Sequence, residues 1–204
     1  MSREDALETY RSKRDFARSP EPPGDKGASG QDKRIWVIQK HQARNLHYDL
    51  RIEIDGVLKS WAVPKGPSTD PSVKRLATPT EDHPMDYADF EGVIPEGEYG
   101  GGTVIVWDAG RYRNVRTGDD GNERPMPDCY ADGKIEVSLS GRKLRGGYVL
   151  IRTGKDKSGR TRWLLKKIKD DHADARRNPV STEPRSVLTG RTLEEVAAEE
   201  GPAG

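Results

Sequence analysis

The run His41-Gln-Ala-Arg-Asn-Leu-His47-Tyr-Asp49-Leu-Arg51-Ile-Glu-Ile-Asp55-Gly56-Val-Leu-Lys-Ser60-Trp-Ala-Val63 alternates strictly from Leu46 onward. Leu46, Tyr48, Leu50, Ile52 and Ile54 share one side; His47, Asp49, Arg51, Glu53 and Asp55 share the other. Period two with one apolar and one polar face is the pattern of a β-strand. Asp55-Gly56 between apolar residues is a two-residue hairpin turn. The turn sets the register: Ile54 faces Val57, Arg51 faces Ser60, Leu50 faces Trp61, Asp49 faces Ala62 and Tyr48 faces Val63. Large apolar pairs then fall on one face, as a core requires. The small partners Ser60 and Ala62 fall on the His/Asp/Arg face and leave room for a ligand.

On that face an imidazole, a carboxylate and a guanidinium follow one another at steps of about 7 Å. His41 lies just upstream and His83 farther on, so three of the four histidines of the chain fall in two short segments. Two imidazoles and a carboxylate suit a divalent ion, with zinc or iron(II) level with manganese on ligand type alone. An arginine beside them suits a phosphate, which it can grip with two N–H groups. Two other readings fit the same residues. His47-x-Asp49 with a distant histidine matches the facial triad of an iron oxygenase, and a polar strand face is often simply solvated.

Composition narrows the class. A chain of 204 residues supports one domain. With 32% hydrophobic and 34% charged residues the core is small and some segments are expected to be unpacked. A net charge of +1 provides no global attraction to nucleic acid, so DNA affinity would need a local basic surface. The single cysteine, Cys129, excludes an internal disulfide and fits a reducing compartment. The start Met1-Ser-Arg-Glu-Asp-Ala-Leu-Glu has no apolar signal core, and no apolar run approaches a membrane span. A cytoplasmic, nucleoid-associated monomer is expected.

Three segments follow. Residues 1–34 read as an N-terminal arm: a short helix over residues 5–18 with Leu7, Tyr10 and Phe16 as contacts, then a mobile Pro/Gly-rich linker from Pro20 to Lys33. Residues 35–170 read as short strands. Ile35-Trp-Val-Ile-Gln leads to His41; Thr103-Val-Ile-Val-Trp107 turns at Asp108-Ala-Gly110 into Arg111-Tyr-Arg; residues 134–140, 147–153 and 161–168 complete the set. Strands at this spacing predict a mainly β fold, a compact antiparallel β-barrel with short helices. Gly97-Glu-Tyr-Gly100-Gly-Gly lacks the Lys-Ser/Thr ending of a phosphate loop and reads as a strand-to-strand turn. Residues 171–204 are a tail. Its stretch to 191 has no periodicity and a solvated His172, and Thr192-Leu-Glu-Glu195 is a capping box opening a short C-terminal helix.

The motifs carry a family resemblance. Gln39-Lys-His41-Gln-Ala-Arg-Asn-Leu-His47-Tyr-Asp49-Leu-Arg51, Lys59-Ser60-Trp-Ala-Val-Pro-Lys65-Gly-Pro, Lys74-Arg75-Leu-Ala-Thr-Pro-Thr-Glu81-Asp-His83-Pro-Met-Asp-Tyr87 and Phe90-Glu-Gly-Val-Ile-Pro-Glu-Gly-Glu-Tyr-Gly-Gly-Gly are the main runs. Trp107-Asp-Ala-Gly and Arg162-Trp-Leu-Leu-Lys-Lys also fit. Over residues 7 to 170 the chain resembles the 3′-phosphoesterase domain of bacterial DNA ligase D, known also as stand-alone proteins. The resemblance implies a barrel fold and a manganese-dependent enzyme, with zinc, cobalt or another divalent ion as alternatives. Such an enzyme heals DNA 3′ ends in repair and end joining. It removes a terminal ribonucleoside from a primer-template, leaving a 3′-phosphate, and then hydrolyses that phosphate to a 3′-hydroxyl. His41, His47 and Asp49 are the implied metal ligands. Arg51 and His83 are expected to act on the scissile phosphate, His83 as a donor of the leaving-group proton. Glu81 is expected to orient a histidine ring and Tyr87 to donate to a phosphate oxygen. Gln39, Ser60, Lys65 and Arg75 are expected at the substrate, with Arg14, Asp15 and Glu21 serving the ribonucleoside step. Nothing in Glu53-Ile-Asp55-Gly56 offers the lysine of a ligase adenylate, so sealing would fall to a ligase or end-joining complex acting in trans. The rival from another class is a DNA-end-binding module without turnover.

Overall fold

The computed structural model describes residues 3–24 and 33–201. The strands are β1 (Ile35–Gln42), β2 (Leu46–Ile54), β3 (Val57–Val63), β4 (Lys74–Pro79), β5 (Gly92–Ile94), β6 (Gly102–Asn114), β7 (Lys134–Ser140), β8 (Arg145–Lys155) and β9 (Thr161–Lys167). Four short helices accompany them: α1 (Arg3–Ser12), α2 (Met126–Asp132), α3 (Pro179–Thr182) and α4 (Leu193–Glu200). Every pairing is antiparallel. Eight strands close in the order β1-β2-β3-β4-β9-β8-β7-β6 and back to β1, and β5 adds to β6 outside the ring. Closure removes the open edges that an isolated sheet would expose.

The β2–β3 hairpin forms in the expected register, with Arg51 opposite Ser60 and Leu50 opposite Trp61. Its turn holds Asp55 at φ 54° and Gly56 at φ 75°, the left-handed pair a two-residue hairpin demands. Tyr48, Leu50, Ile52 and Ile54 enter the barrel core with Trp36, Ile38, Trp61, Trp107, Trp163 and the cysteine, Cys129. A second apolar cluster lies on the outer face of β1 and β6. There Val37, Val104 and Val106 meet Tyr10 of α1 together with Met85, Tyr87, Ala88 and Phe90 around a 3₁₀ turn. β1 is therefore buried on both faces, which is why its sequence is a continuous apolar run rather than an alternation. α4 covers a third, small cluster through Leu193 and Val196 on Ile105. Its Thr192–Glu195 capping box is present as expected. No helix among the described residues is long and apolar enough to cross a membrane.

Three expectations change, besides the helix expected over residues 5–18, which ends at Ser12. The turn at Asp108-Ala-Gly110 is absent, because β6 runs unbroken through it. The β1–β6 register shifts so that Trp107 has no partner, a bulge that re-aims the strand. Gly110 then passes so close to β7 that a Cβ would lie 1.9 Å from the Ser140 carbonyl oxygen. Asp108 accepts backbone N–H groups of Arg142, Lys143 and Leu144 and so shapes the β7–β8 turn. The second change concerns the linker. Its described part, residues 20–24, is packed: Glu21 is buried, and the Pro22 carbonyl accepts a 2.7 Å bond from the Tyr10 hydroxyl. The rest of the Pro20-to-Lys33 expectation, residues 25–32, lies outside the described residues. The third is the tail. Residues 171–191 strap the barrel through irregular backbone contacts: Thr69 donates to the Asp174 and Arg177 carbonyls, Trp107 to Glu183, and the Val187 N–H to Val106. Such contacts need no periodicity, so none is visible in the sequence.

Candidate metal centre and phosphate pocket

Strand register alone assembles the site on the outer face of the barrel. In the β1–β2 ladder His41 lies opposite His47, Gln39 opposite Asp49 and Val37 opposite Arg51. The β2–β3 ladder adds Ala62 beyond Asp49 and Ser60 beyond Arg51. The two imidazole rings stand 4.7 Å apart, centre to centre. Asp49 Oδ2 lies 3.5 Å from His41 Nδ1, and its Oδ1 lies 3.5 Å from His47 Nε2. One ligand atom from each of the three residues falls within 4.8 Å of the others.

The donor set fits a divalent cation. His47 Nδ1 donates to the Asn45 carbonyl at 3.0 Å, which leaves Nε2 as a bare lone pair facing Asp49. His41 Nε2 is buried without a hydrogen-bond partner, an orphan that a metal bond would satisfy. Burial of Asp49 opposes its ionisation, but the charge of Arg51 and the bonds from His41 and His47 overcome that and hold its pKa well below the usual carboxylate range. Burial likewise opposes charge on His47, and Asp49 outweighs it, so the His47 pKa lies above the usual histidine value.

Arg51 is clamped beside this group. Its Nε donates to Gln39 Oε1 at 2.7 Å, Nη1 to Ser60 Oγ at 2.9 Å and Nη2 to Asp49 Oδ2 at 3.4 Å. The guanidinium also lies 4.8 Å from the Tyr87 ring centre. Of its five N–H groups two remain for a ligand. Gln39 spends its amide N–H groups on the Tyr87 and Phe90 carbonyls, and Ser60 gives its proton to the Leu58 carbonyl. Gln39 and Ser60 are both buried, and their bonds hold the Arg51 guanidinium in place.

His83 reaches the same pocket through a backbone bridge to Leu58. Its Nδ1 donates to the backbone carbonyl of Glu81 at 2.8 Å, which leaves Nε2 to accept from Arg14 Nη2 at 3.4 Å. Burial, then the charges of Arg51 and Arg14, push its pKa well below the usual histidine value. In this arrangement the His83 Nε2 faces Arg14 as an acceptor. Glu81 orients the ring through its main chain and not its carboxylate, which instead accepts from Arg14 and Lys13 at 3.1 and 3.2 Å. Tyr87 donates its hydroxyl to Glu21 Oε1 at 2.9 Å, so that proton is not free for a phosphate.

The segment after α1 completes the pocket. Arg14 lies 3.9 Å over the Tyr10 ring, and its Nε donates to Glu21 Oε1 at 2.9 Å. Glu21 also accepts from Ser19 Oγ at 2.8 Å. The fold brings Arg14 to His83 and Glu81, and Glu21 to Arg14 and Tyr87. Asp15 is exposed, and its carboxylate accepts the Ala17 N–H and holds a local turn. Lys65 is exposed beyond β3. Arg75 sits on β4 opposite Leu165, with its Nε buried and unpartnered. No hydrogen bond or ion pair joins Lys65 or Arg75 to the His41–His47–Asp49 group among the described residues.

The family model for the DNA ligase D 3′-phosphoesterase domain matches residues 39–152, more than half of the chain. The chain belongs to the DNA ligase D 3′-phosphoesterase domain family. It is 47% identical over 190 residues to the multifunctional non-homologous end joining protein LigD of Pseudomonas aeruginosa, covering 92% of this chain and 22% of that protein. It is 47% identical over 167 residues to the multifunctional non-homologous end joining DNA repair protein LigD of Mycobacterium tuberculosis, covering 81% and 20%. The corresponding protein of Mycolicibacterium smegmatis is 46% identical over 168 residues, covering 81% and 21%. The chain therefore spans about a fifth of the length of these relatives.

Within this 3′-phosphoesterase family frame, the two histidines, the aspartate and Arg51 lie on the matched segment, whereas Arg14 and Glu21 precede it. Tyr10, Lys13, Ser19, Asn45 and Tyr99 touch the site residues and were missed in the sequence. Only Tyr10 carried a signal, its place on the apolar side of a short helix. The others bond to partners that the sequence does not juxtapose.

Proposed function

We propose that the protein is a divalent-metal-dependent DNA 3′-end-healing phosphoesterase, and that manganese is its ion. The observation that carries this reading is the Arg51 guanidinium, held by Gln39 and Ser60 with two N–H groups to spare, beside a two-histidine, one-carboxylate donor set. Membership of the family and the end-joining names of the relatives support the substrate class. His41, His47 and Asp49 would hold the ion. When bound, it would polarise the phosphoryl group and lower the pKa of a water.

In the first step water adds to phosphorus and the bond to O5′ of the terminal ribonucleoside breaks, so the nucleoside leaves and a 3′-phosphate stays on the primer. In the second, water adds again and the bond to O3′ breaks, releasing inorganic phosphate and a 3′-hydroxyl. Arg51 takes nonbridging oxygens with its two remaining N–H groups and offsets the charge gained in the transition state. Arg14 adds a second positive charge at His83 Nε2. The negative charge of a bound phosphate cancels the two guanidinium fields. That offsets the lesser cause of the low His83 pKa, burial being the larger, and favours a proton on His83 that could pass to the leaving oxygen. The protein would act as a cytoplasmic monomer on primer-template ends, handing the healed end to a ligase or end-joining complex.

The test is direct. Purified protein is incubated with Mn²⁺ and a primer-template ending in one ribonucleotide or in a 3′-phosphate, and products are resolved by size and end group. Metal-dependent conversion of both ends to a 3′-hydroxyl is expected. Binding without turnover would favour an end-binding module, and oxygen-dependent product would favour an iron oxygenase.

A further inference from the structure

Tyr99 is the conspicuous side chain that the reading above leaves without a task. It sits in the glycine-rich turn between β5 and β6 and is 45% exposed, the second most exposed of the large apolar side chains. It is nevertheless pinned. Its hydroxyl donates to Glu81 Oε2 at 3.3 Å and accepts from Lys13 Nζ at 3.2 Å. Lys13 Nζ lies 4.6 Å from the ring centre and the Arg14 guanidinium carbon 5.3 Å. Its turn also borders the metal centre, since a Cβ on Gly100 would lie 4.0 Å from His41 Cε1. An aromatic ring held in place at the mouth of a reaction pocket, with its surface in solvent, is a stacking platform whose ordering cost is already met by the fold.

We infer that Tyr99 stacks on the terminal ribonucleoside, the group that leaves in the first step; this rests on the phosphoesterase reading. Charge selects that group. Around Tyr99, Glu81 is paired with Lys13 and Arg14, and Glu98 with Arg18 at 3.0 Å. Glu96 adds a further carboxylate on the same turn. The cations that touch Tyr99 are spent on these carboxylates, so the ring's own surroundings do not select a phosphate chain. The terminal nucleoside lies beyond the scissile phosphate and is uncharged, which suits a charge-balanced wall with an exposed ring. The same turn also borders a groove of about 860 Å³, with Gln42, Arg44, Ile94, Pro95 and Glu98 in its lining; Tyr99 stands beside that groove and is not part of its lining. Stacking on a π-face is tolerant of base identity but stronger for the larger purines.

The experiment compares wild type, Tyr99→Phe and Tyr99→Leu in the full chain with Mn²⁺. KM and kcat are measured on primers ending in a purine or pyrimidine ribonucleotide and on a primer ending in a 3′-phosphate. Thermal unfolding of each variant is recorded alongside. Tyr99→Leu is expected to raise KM for the ribonucleotide-ended primer about tenfold, to abolish any purine preference, and to leave KM for the 3′-phosphate within about twofold. Tyr99→Phe keeps the ring and its cation contacts but loses the hydroxyl bonds that pin it, so its KM should lie between wild type and Tyr99→Leu. The inference is overturned by an equal KM rise on both substrates, by a Phe variant as impaired as the Leu variant, or by no change in either. Wild-type protein that converts neither end would instead remove the parent reading, and this one with it.

Discussion

Arg51→Lys tests the centre of the mechanism while keeping its charge. Arginine donates to Gln39, Ser60 and Asp49 from three different nitrogens, at 2.7, 2.9 and 3.4 Å. A lysine has one nitrogen and cannot serve all three while also facing a phosphate. Asp49 keeps a cation nearby, so it stays ionised and the metal group is little altered. Gln39 Oε1 loses its donor, and Gln39 is fully buried. Stranding a buried acceptor costs about 1–3 kcal/mol, and the weakened Ser60 contact about 1 kcal/mol more. For a chain of this size 1 kcal/mol moves Tm by about 2–4 °C, so a fall of roughly 5–15 °C is expected. Catalysis should fall more. Losing one well-aimed transition-state donor typically costs about 10²-fold in kcat, equivalent to roughly 2.7 kcal/mol. The assay is kcat on the 3′-phosphate primer below the variant's unfolding range, with Mn²⁺ affinity measured by titration calorimetry. A kcat near wild type in a folded variant would show that Arg51 supplies only a diffuse field. A parallel collapse of metal affinity would show that its main work is to hold Asp49 in place.

Asp49→Ala removes the only carboxylate of the donor set; loss of Mn²⁺ binding and of both activities is expected, and turnover at saturating Mn²⁺ would take Asp49 out of the metal site. Metal affinity should weaken as pH falls: the His47 pKa lies above the usual value, so below it each ion must displace a proton, and affinity drops by up to tenfold per pH unit. The same shift has the opposite sign for the metal-free fold. The stability contributed by His47 is fully present below about pH 6.5 and is lost as pH rises through the folded pKa; calorimetric titrations and melts across that window check both, and an affinity flat with pH would contradict the assignment of His47 as a ligand that must lose its proton. Deleting residues 1–24 should lower Tm as well as activity, because Leu7 and Tyr10 are within 1% of complete burial and each contributes about 1.5–3 kcal/mol. A truncated protein with unchanged Tm would show that the segment only visits the barrel.

The parts of this protein that could be read in advance are those whose partners lie within a few residues. The β2–β3 register follows from alternation and from the Asp55-Gly56 turn, the 97–102 turn from its glycines, and the Thr192–Glu195 box from spacing. The family motifs likewise marked the candidate ligands, because His41 on β1 and His47 and Asp49 on β2 belong to the two strands of one hairpin. What could not be read depends on chain closure. Whether β6 turns at Asp108 or runs on is settled by β1 and β7 on its two sides, through a bulge at Trp107 and the tight passage of Gly110. Gln39 and Ser60 are expected at the substrate from the family resemblance, Ser60 also from its place opposite Arg51. Only the loop carbonyls of Tyr87 and Phe90, 48 and 51 residues away, show that the Gln39 amide is already spent. Arg14 meets Glu81 and His83 across 67 and 69 residues. A stretch rich in proline and glycine signals freedom of the backbone, whereas the burial of Glu21 comes from donors that only the folded barrel brings to it. Local periodicity records which face a side chain takes; which groups saturate its hydrogen bonds is a property of the closed fold.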